Sequence, residues 1–295
     1  MPPLPSPNTR YSRTDLACEA GRPEAERKEE ILYPLKGREG ISVLRCRERD
    51  GRRFVTISCG RVTFLGDAML SALSILLGRE MRAMAERMLD RPIDGTTRVL
   101  VAGLGNPDMT ADALGPGTVR RLTATGHLKA HDEAMFHSLG CCELAAMAPG
   151  VLGQTGIESG ELVKGAVAHV EPHLLIAVDA LAARSCDRLA STIQLSDGGL
   201  SPGAGVGNFR LAMDRHTLGC PVLGIGIPTV VDSSTLVYDA LERAGMTESL
   251  SDELTRILEN GRSFIVSPKD SDLITELSCR LLAKAIDHAF GVGEM

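Results

Sequence analysis

Residues 173–179 read His-Leu-Leu-Ile-Ala-Val-Asp, an uninterrupted apolar run that ends in an acid. Such a run is typical of a strand that is buried on both faces, as in the parallel sheets of α/β proteins. Residues 98–104 form a second short apolar run, and helical patterns at residues 112–125 and 161–170 lie between the two strands. The order strand, helix, helix, strand predicts a parallel sheet.

Segments on both sides of this unit extend the α/β pattern. Apolar residues recur at three-to-four-residue spacing from Leu70 to Met88, which predicts an amphipathic helix. Residues 41–65 predict a small antiparallel β-rich region, with short runs at 53–58 and 62–65. Residues 267–270, Ser-Pro-Lys-Asp, predict the capped start of a C-terminal helix. Further predicted elements are strands at 191–195 and 221–227, a helix at 235–244 that ends at Gly245, and the end of the last helix at Gly291. The expected fold is a mostly parallel central sheet with helices on both faces.

The overall composition narrows the class of protein. The chain has 295 residues, a net charge of -6 and 24% charged residues, so it has no basic face for a nucleic-acid backbone. No apolar stretch reaches the ~18 residues of a membrane helix, and we expect a cytoplasmic protein. Its eight cysteines are scattered, which favours reduced, mostly buried thiols. Residues 1–15 hold four prolines and no apolar periodicity, so we expect a flexible tail followed by a single domain at 16–295.

Two aspartates are the strongest candidates for chemistry. Asp112 follows the strand at 98–104 and its glycine loop, and Asp179 is expected to terminate the strand at 173–178. The carboxyl ends of parallel strands meet at one crevice, where functional side chains gather. Asp112 could instead cap the next helix, and Asp179 could order a loop in an Asx-turn. If the two carboxyls share a site, one can keep a proton as the acid while the other activates water.

Competing motifs are less convincing. The run Gly-Leu-Gly-Asn-Pro-Asp at 103–108 starts like a dinucleotide fingerprint, but Asp108 would repel a pyrophosphate. Residues 199–203, Gly-Leu-Ser-Pro-Gly, match the G-x-S-x-G pattern of a nucleophile elbow. However, Pro202, which follows Ser201, lacks the N–H that would bind an oxyanion. Histidine pairs with four-residue spacing at 127 and 131, and at 169 and 173, are interrupted by Gly126 and Pro172. We therefore expect no metal site, because zinc needs three or four placed ligands.

Several stretches in fixed order resemble one family. They are Gly-Leu-Gly-Asn (103–106), Thr-Ala-Asp-Ala-Leu-Gly-Pro (110–116), Pro-Gly-Val-Leu-Gly-Gln-Thr-Gly-Ile-Glu (149–158), Val-Asp-Ala-Leu-Ala-Ala-Arg-Ser (178–185), Ser-Pro-Gly-Ala-Gly-Val-Gly-Asn (201–208) and Gly-Ile-Pro-Thr-Val-Val-Asp (226–232). Together they closely resemble the germination proteases of spore-forming bacteria. The resemblance implies a fold similar to that of the hydrogenase-maturation peptidases. It also implies a metal-independent aspartic peptidase without a cofactor that degrades small acid-soluble spore proteins, with Asp112 and Asp179 as the catalytic pair.

The resemblance also gives the N-terminal tail a role. Members of this family are made as inactive tetrameric precursors that remove a short N-terminal segment from themselves, in the cytoplasm of the forespore or spore. Residues 13–20 look like the processing site, with cleavage between Asp15 and Leu16. The stretch Asp-Leu-Ala-Cys-Glu at 15–19 is also similar to the family's substrate pattern, so we expect residues 10–20 to occupy or guard the cleft as a substrate mimic.

Two departures and two alternatives accompany this interpretation. Ala111 stands where the family usually has proline, and residues 232–267 form a shorter region than usual. Asn106, Arg184 and Asn208 are candidates for positioning groups, although Asn in glycine loops also serves purely conformational needs. One alternative is a nickel-dependent maturation peptidase with the same fold. The other is a non-catalytic binder of spore proteins.

Overall fold

The computed structural model describes residues 14–19, 24–32, 40–201, 211–246, 251–260 and 264–291. The strands are β1 (Glu24–Leu32), β2 (Ile41–Glu48), β3 (Arg53–Ser58), β4 (Arg98–Gly103), β5 (Glu143–Met147), β6 (Leu174–Ala182), β7 (Thr192–Ser196), β8 (Val222–Asp232) and β9 (Ile265–Val266). The helices are α1 (Asp67–Leu89), α2 (Leu114–Val119), α3 (Gly126–His131), α4 (Glu133–Leu139), α5 (Leu152–Thr155), α6 (Ser159–Val170), α7 (Arg215–Leu218), α8 (Ser233–Arg243), α9 (Asp252–Asn260) and α10 (Ser271–Phe290).

The strands form one open mixed sheet in the order β1-β2-β3-β7-β8-β6-β4-β5, with β9 paired to β8. The four strands β8, β6, β4 and β5 are parallel, whereas β1, β2, β3 and β7 continue the sheet with antiparallel pairs. The predicted α/β class is therefore confirmed. Its parallel strands direct their carboxyl ends toward one edge, which is where both candidate aspartates belong.

Helices cover the parallel strands on both faces, as predicted. On β6, Ile176 and Val178 pack into the cluster formed with α1 and α10. The alternating residues Leu175 and Ala177 pack on the other face against Val163 of α6. Because successive side chains of a strand point to opposite faces, the continuous apolar run of β6 serves both layers.

Several predicted elements have different bounds. The antiparallel hairpin is made by β2 and β3, whereas residues 62–65, predicted as a β-run, contain a 3-10 turn at Val62–Phe64. The helix predicted at 112–125 is confined to α2, and Thr125 instead donates its backbone N–H to the Leu144 carbonyl oxygen (2.9 Å). This contact ties the chain to β5, a strand that periodicity did not predict.

The C-terminal helix and the Asp179 strand also differ from expectation. Helix α10 begins at Ser271 after the N-cap Asp270, so the capping motif predicted at 267–270 is wrong. Strand β6 continues through Asp179 to Ala182, because its pairing with β8 extends that far. Asp179 is therefore an internal residue of the strand and does not terminate it.

Other predictions concern the thiols, the tail and the membrane. All eight cysteines are free, and all but Cys18 and Cys186 are buried, so the expected burial of most thiols is confirmed. Burial raises the pKa of Cys59 and Cys142 to about 12. Within the described ranges, no helix is long and apolar enough to cross a membrane. The predicted flexible tail at 1–15 lies outside the described residues except for Thr14 and Asp15, and the single-domain division stays a prediction.

Candidate active site

The first candidate, Asp112, lies in a tight turn after β4. The Leu104 N–H donates to the Val178 carbonyl oxygen of β6 (2.8 Å), so the loop leaves β4 beside β6. Gly105 then takes a φ of +112°, which favours glycine. A Cβ on Gly105 would lie 2.0 Å from the Asp112 carbonyl oxygen, so only glycine lets the loop close against the 3-10 turn at Thr110–Asp112.

Hydrogen bonds fix this turn from three directions. Asp112 is half-buried, and its Oδ2 accepts the Asn106 N–H at 2.7 Å. The Thr229 hydroxyl of β8 donates to the Ala111 carbonyl oxygen (2.6 Å), and the Thr275 hydroxyl of α10 donates to the carbonyl oxygen of Thr110 (3.0 Å). The turn is thus tied to both the sheet and α10.

The Asp112 side chain has a different local role from helix capping. The N-cap of α2 is Ala113, one residue later, and this cap has no side-chain hydrogen bond. The contact at Asp112 Oδ2 orders the glycine loop through Asn106 instead. Asn106 thus contacts Asp112 through its backbone N–H, and its role as a positioning group stays a prediction. Its side-chain oxygen accepts from the Gln154 amide nitrogen at 2.9 Å.

The second candidate, Asp179, is 6% exposed and lies within β6. Its Oδ1 accepts the N–H of the following residue, Ala180, at 3.0 Å. Asp179 lines a cavity of about 170 Å³, which we call the Asp179 cavity. This volume exceeds the ~10–15 Å³ that one water molecule needs, so the cavity has room for a solvent nucleophile. Other residues that line it include Asp15, Phe54, Leu181, Gln194 and Ser201.

A segment of the N-terminal region, residues 14–19, lies against this cavity, and we call it the docked segment. The Asp15 N–H donates to the Ala182 carbonyl oxygen (2.9 Å), and Asp15 Oδ2 accepts the Ala182 N–H (2.8 Å). Leu16 is fully buried and packs in a cluster with Leu181. The peptide bond between Asp15 and Leu16, which is the predicted processing site, is thus held at the end of the strand that carries Asp179.

A carboxylate anchors the other end of the docked segment. Glu19 Oε2 accepts the Arg184 N–H (2.8 Å), and Glu19 Oε1 accepts the Ser185 N–H (3.1 Å). The Arg188 guanidinium forms an ion pair with Glu19 Oε1 at 3.2 Å, where the Glu19 side chain is only 7% exposed. Hydrogen bonds to an ionised acceptor are the stronger kind, so Glu19 fixes the register of the segment.

Glu19→Ala should therefore release the docked segment. The change leaves the two backbone N–H groups of Arg184 and Ser185 without their carboxylate, and a hydrogen bond to a charged group contributes roughly 1.5–3 kcal/mol. Hydrogen exchange at Leu16 should become at least 10-fold faster. The matched control is Glu276→Ala, since Glu276 forms an exposed ion pair with Arg121 that contributes little. Unchanged exchange at Leu16 in Glu19→Ala would show that Glu19 does not anchor the segment.

The remaining predicted positions lie in different places. The Arg184 guanidinium binds Glu242 Oε2 (2.7 Å) and lies over the Tyr238 ring, and the Arg184 backbone N–H contacts the docked segment. Asn208 lies outside the described residues. Asp15 and Asp179 line one cavity, whereas Asp112 is not among its lining residues. The pairing of Asp112 with Asp179 stays a prediction.

Sequence reasoning did not single out Gln194. This side chain is 4% exposed and makes two hydrogen bonds to the backbone of the docked segment. A signal exists, because Gln194 is a polar residue between the core residues Ile193 and Leu195 of β7 and therefore faces the opposite side of the sheet. The predicted absence of a metal site has no direct test. Among the described residues, no three His, Cys, Asp or Glu side chains are grouped so that they could hold a metal ion.

Comparison with known proteins gives the family. Residues 45–254 match the family model described as germination protease. The chain belongs to the germination protease family. The germination protease of Clostridium acetobutylicum is 33% identical over 94% of both chains. That of Caldanaerobacter subterraneus subsp. tengcongensis is 35% identical over 95% of this chain and 94% of its own. That of Oceanobacillus iheyensis is 37% identical over 78% of this chain and 66% of its own. This germination protease family member is accordingly a peptidase.

Proposed function

We propose that the chain is an endopeptidase of small acid-soluble spore proteins, made as a precursor that cleaves itself between Asp15 and Leu16. In this proposal Asp112 and Asp179 form the catalytic pair and no cofactor takes part. The active assembly is a homotetramer in the cytoplasm of the forespore or spore. The proposal rests on the family and on the resemblance of residues 15–19 to the substrates of that family.

The observation that carries the proposal is the contact between the docked segment and the Asp179 cavity. Asp15 and Asp179 line the same cavity, and the backbone of Asp15 is hydrogen-bonded to Ala182 at the end of β6. A segment that binds to its own enzyme in this way is positioned like a substrate, because main-chain hydrogen bonds to a strand give affinity while side-chain pockets give specificity.

The chemistry follows from two carboxyl groups with different protonation. One carboxylate takes a proton from water as the oxygen attacks the carbonyl carbon, and the other, protonated, group donates to the leaving nitrogen. The products are a carboxylic acid at Asp15 and an amine at Leu16, with the atoms of one water divided between them. Ionising both of two acids that share a site is unfavourable because the two negative charges repel each other. The apparent pKa values of such a site therefore describe the pair and not either residue.

Self-processing of the purified chain tests the proposal. Incubated alone, it should yield a product whose N-terminus is Leu16, and it should cleave an added small acid-soluble spore protein. A non-catalytic binder would leave both polypeptides intact. Processing that a chelator stops and that nickel restores would favour the maturation-peptidase alternative.

Asp15→Ala should slow self-processing at this bond. The substitution removes the Oδ2 atom that accepts the Ala182 N–H, a hydrogen bond to a charged group worth roughly 1.5–3 kcal/mol, so the rate should fall about 10-fold or more. Asp15→Asn is the matched control, because it keeps an oxygen acceptor of the same shape and should process faster than Asp15→Ala. Processing of Asp15→Ala at the same bond and the same rate as the wild type would contradict the substrate-mimic hypothesis.

A further inference from the structure

One row of residues crosses the sheet at the Asp179 cavity. Asp179 of β6 pairs with Gly226 of β8, and Gly226 pairs in turn with Gln194 of β7. Residues in register on neighbouring strands direct their side chains to the same face. Strands lie ~4.8 Å apart, so the Cα atoms of Asp179 and Gln194 lie ~10 Å apart with a glycine between them.

Gly226 itself places no side chain between the acid and the amide, and the Leu181 side chain packs over it. A Cβ on Gly226 would lie 2.5 Å from the Asp179 carbonyl oxygen and 2.6 Å from Leu181 Cγ. Glycine inside a strand often marks a place where another backbone approaches closely. Here the backbone of Asp179 approaches Gly226, and Leu181 above it lines the Asp179 cavity together with Asp15 and Ala17 of the docked segment.

The Gln194 amide holds this backbone by two hydrogen bonds of fixed direction. Its Nε2 donates to the Asp15 carbonyl oxygen at 2.9 Å, and its Oε1 accepts the Ala17 N–H at 2.6 Å. A carbonyl oxygen can only accept and a backbone N–H can only donate, so the two partners dictate which end of the amide faces which atom. The side chain is buried, which shields both bonds from water.

We propose that Gln194 is a catalytic residue that polarises the carbonyl group of the bond to be cleaved and sets the register of the substrate backbone. This inference rests on the proposed self-processing, because the Asp15 carbonyl belongs to the Asp15–Leu16 peptide. Gln194 Nε2 binds the oxygen of that carbonyl group. Asp179 lies in the same row of the sheet as Gln194, with Gly226 between the two residues.

The role of the amide in the reaction is electrostatic. When the water oxygen bonds to the Asp15 carbonyl carbon, the π electron pair of the C=O bond moves to the carbonyl oxygen. The Nε2 hydrogen of Gln194 already points at that oxygen and stabilises the negative charge that develops there. The C–N bond to Leu16 then breaks, the electron pair re-forms the C=O bond, and the nitrogen leaves with a proton from the acid.

The experiment measures single-turnover self-processing of the full chain from pH 5 to 8 in three forms: wild type, Gln194→Leu and Gln194→Glu. Gln194→Leu loses the donor, so its rate should fall roughly 100-fold at every pH, the size seen when an oxyanion donor is removed. Gln194→Glu should be as slow at pH 8, where the carboxylate cannot donate. As the pH falls and this Glu takes up a proton, it regains an O–H donor, and the rate relative to wild type should rise at least 10-fold.

The control is Thr192→Val, which replaces another buried polar residue of β7 and should process at the wild-type rate. A role of Gln194 in packing alone predicts a variant-to-wild-type ratio that does not change with pH. A flat ratio for Gln194→Glu, or a Gln194→Leu rate within about 3-fold of wild type, would overturn the inference while leaving the proposed function intact. If Gln194→Leu does not fold, the pH dependence of Gln194→Glu decides. Absence of processing in the wild type would instead refute the proposed function itself, and the inference with it.

Discussion

Asp179→Asn should abolish self-processing and substrate cleavage, with a rate loss of ~10³-fold or more, because general acid–base groups contribute ~10²–10⁴ each. The fold should survive, since the Asn side chain has the same shape and keeps an oxygen to accept the Ala180 N–H. Because Asp179 is 6% exposed, replacing its carboxyl group by an amide also changes the free energy of unfolding. Cleavage rate and urea unfolding, measured on the same preparation, separate the two effects.

Asp112→Asn should give a similar loss, and the double variant should be no slower than the slower single one. Residues that act as a unit are non-additive, so this result would show that the two acids work as a pair. The matched control is Asp197→Asn. Burial raises the pKa of Asp197, whose Oδ1 accepts the Arg53 N–H, so this change should leave stability and activity near the wild-type values. Near-normal turnover in either Asp112→Asn or Asp179→Asn, with the fold verified, would refute the aspartate pair.

Gly105→Ala should cost both stability and activity. At a φ of +112° an alanine is strained, and its Cβ would lie 2.0 Å from the Asp112 carbonyl oxygen. Strain and overpacking together should lower the free energy of unfolding by roughly 2–5 kcal/mol. Asp112 sits in the turn that must move aside, and a shift of ~1 Å in a catalytic group can reduce the rate ~100-fold. Urea unfolding and the single-turnover processing rate would measure the two losses.

Gly51→Ala is the control that shows the backbone strain without the close contact. Gly51 also has a positive φ, +94°, but a Cβ there would have no neighbour within 4 Å. Only the backbone strain of roughly 1–2 kcal/mol should remain, with normal cleavage. Equal losses in the two variants would show that the close contact between Gly105 and the Asp112 turn is unimportant.

Local sequence signals correctly predicted the elements that have a clear apolar pattern within their own residues. The stripe from Leu70 to Met88 became α1, and the apolar run before Asp179 became β6. Gly245 follows α8 as predicted, because glycine readily takes the positive φ of +69° found there. The capping motif predicted at 267–270 is wrong, because the N-cap of α10 is Asp270 and Ser267 lies three residues before it.

The candidate site residues also form two groups: those that a local sequence pattern indicates and those that depend on contacts between distant segments. Asp112 and Asp179 each follow an apolar run in the sequence, a pattern that is visible without coordinates, as is the family resemblance of the surrounding residues. Gln194 gives only a weak local signal, because its partners, Asp15 and Ala17, lie 179 and 177 residues away in sequence. The anchoring of Glu19 by the Arg184 and Ser185 amides is likewise a contact between distant segments.

The sequence by itself determined the α/β class, the principal helix and strand patterns, and which two acids to examine, because periodicity and residue type act over a few neighbouring positions. Tertiary structure alone decided that Asp179 lies inside a strand, that Asp179 and Gln194 lie in one row across Gly226, and that Gln194 binds the backbone of Asp15 and Ala17. The physical reason is that sheet register and main-chain hydrogen bonds join strands distant in sequence, and their partners are chosen only when the whole sheet assembles.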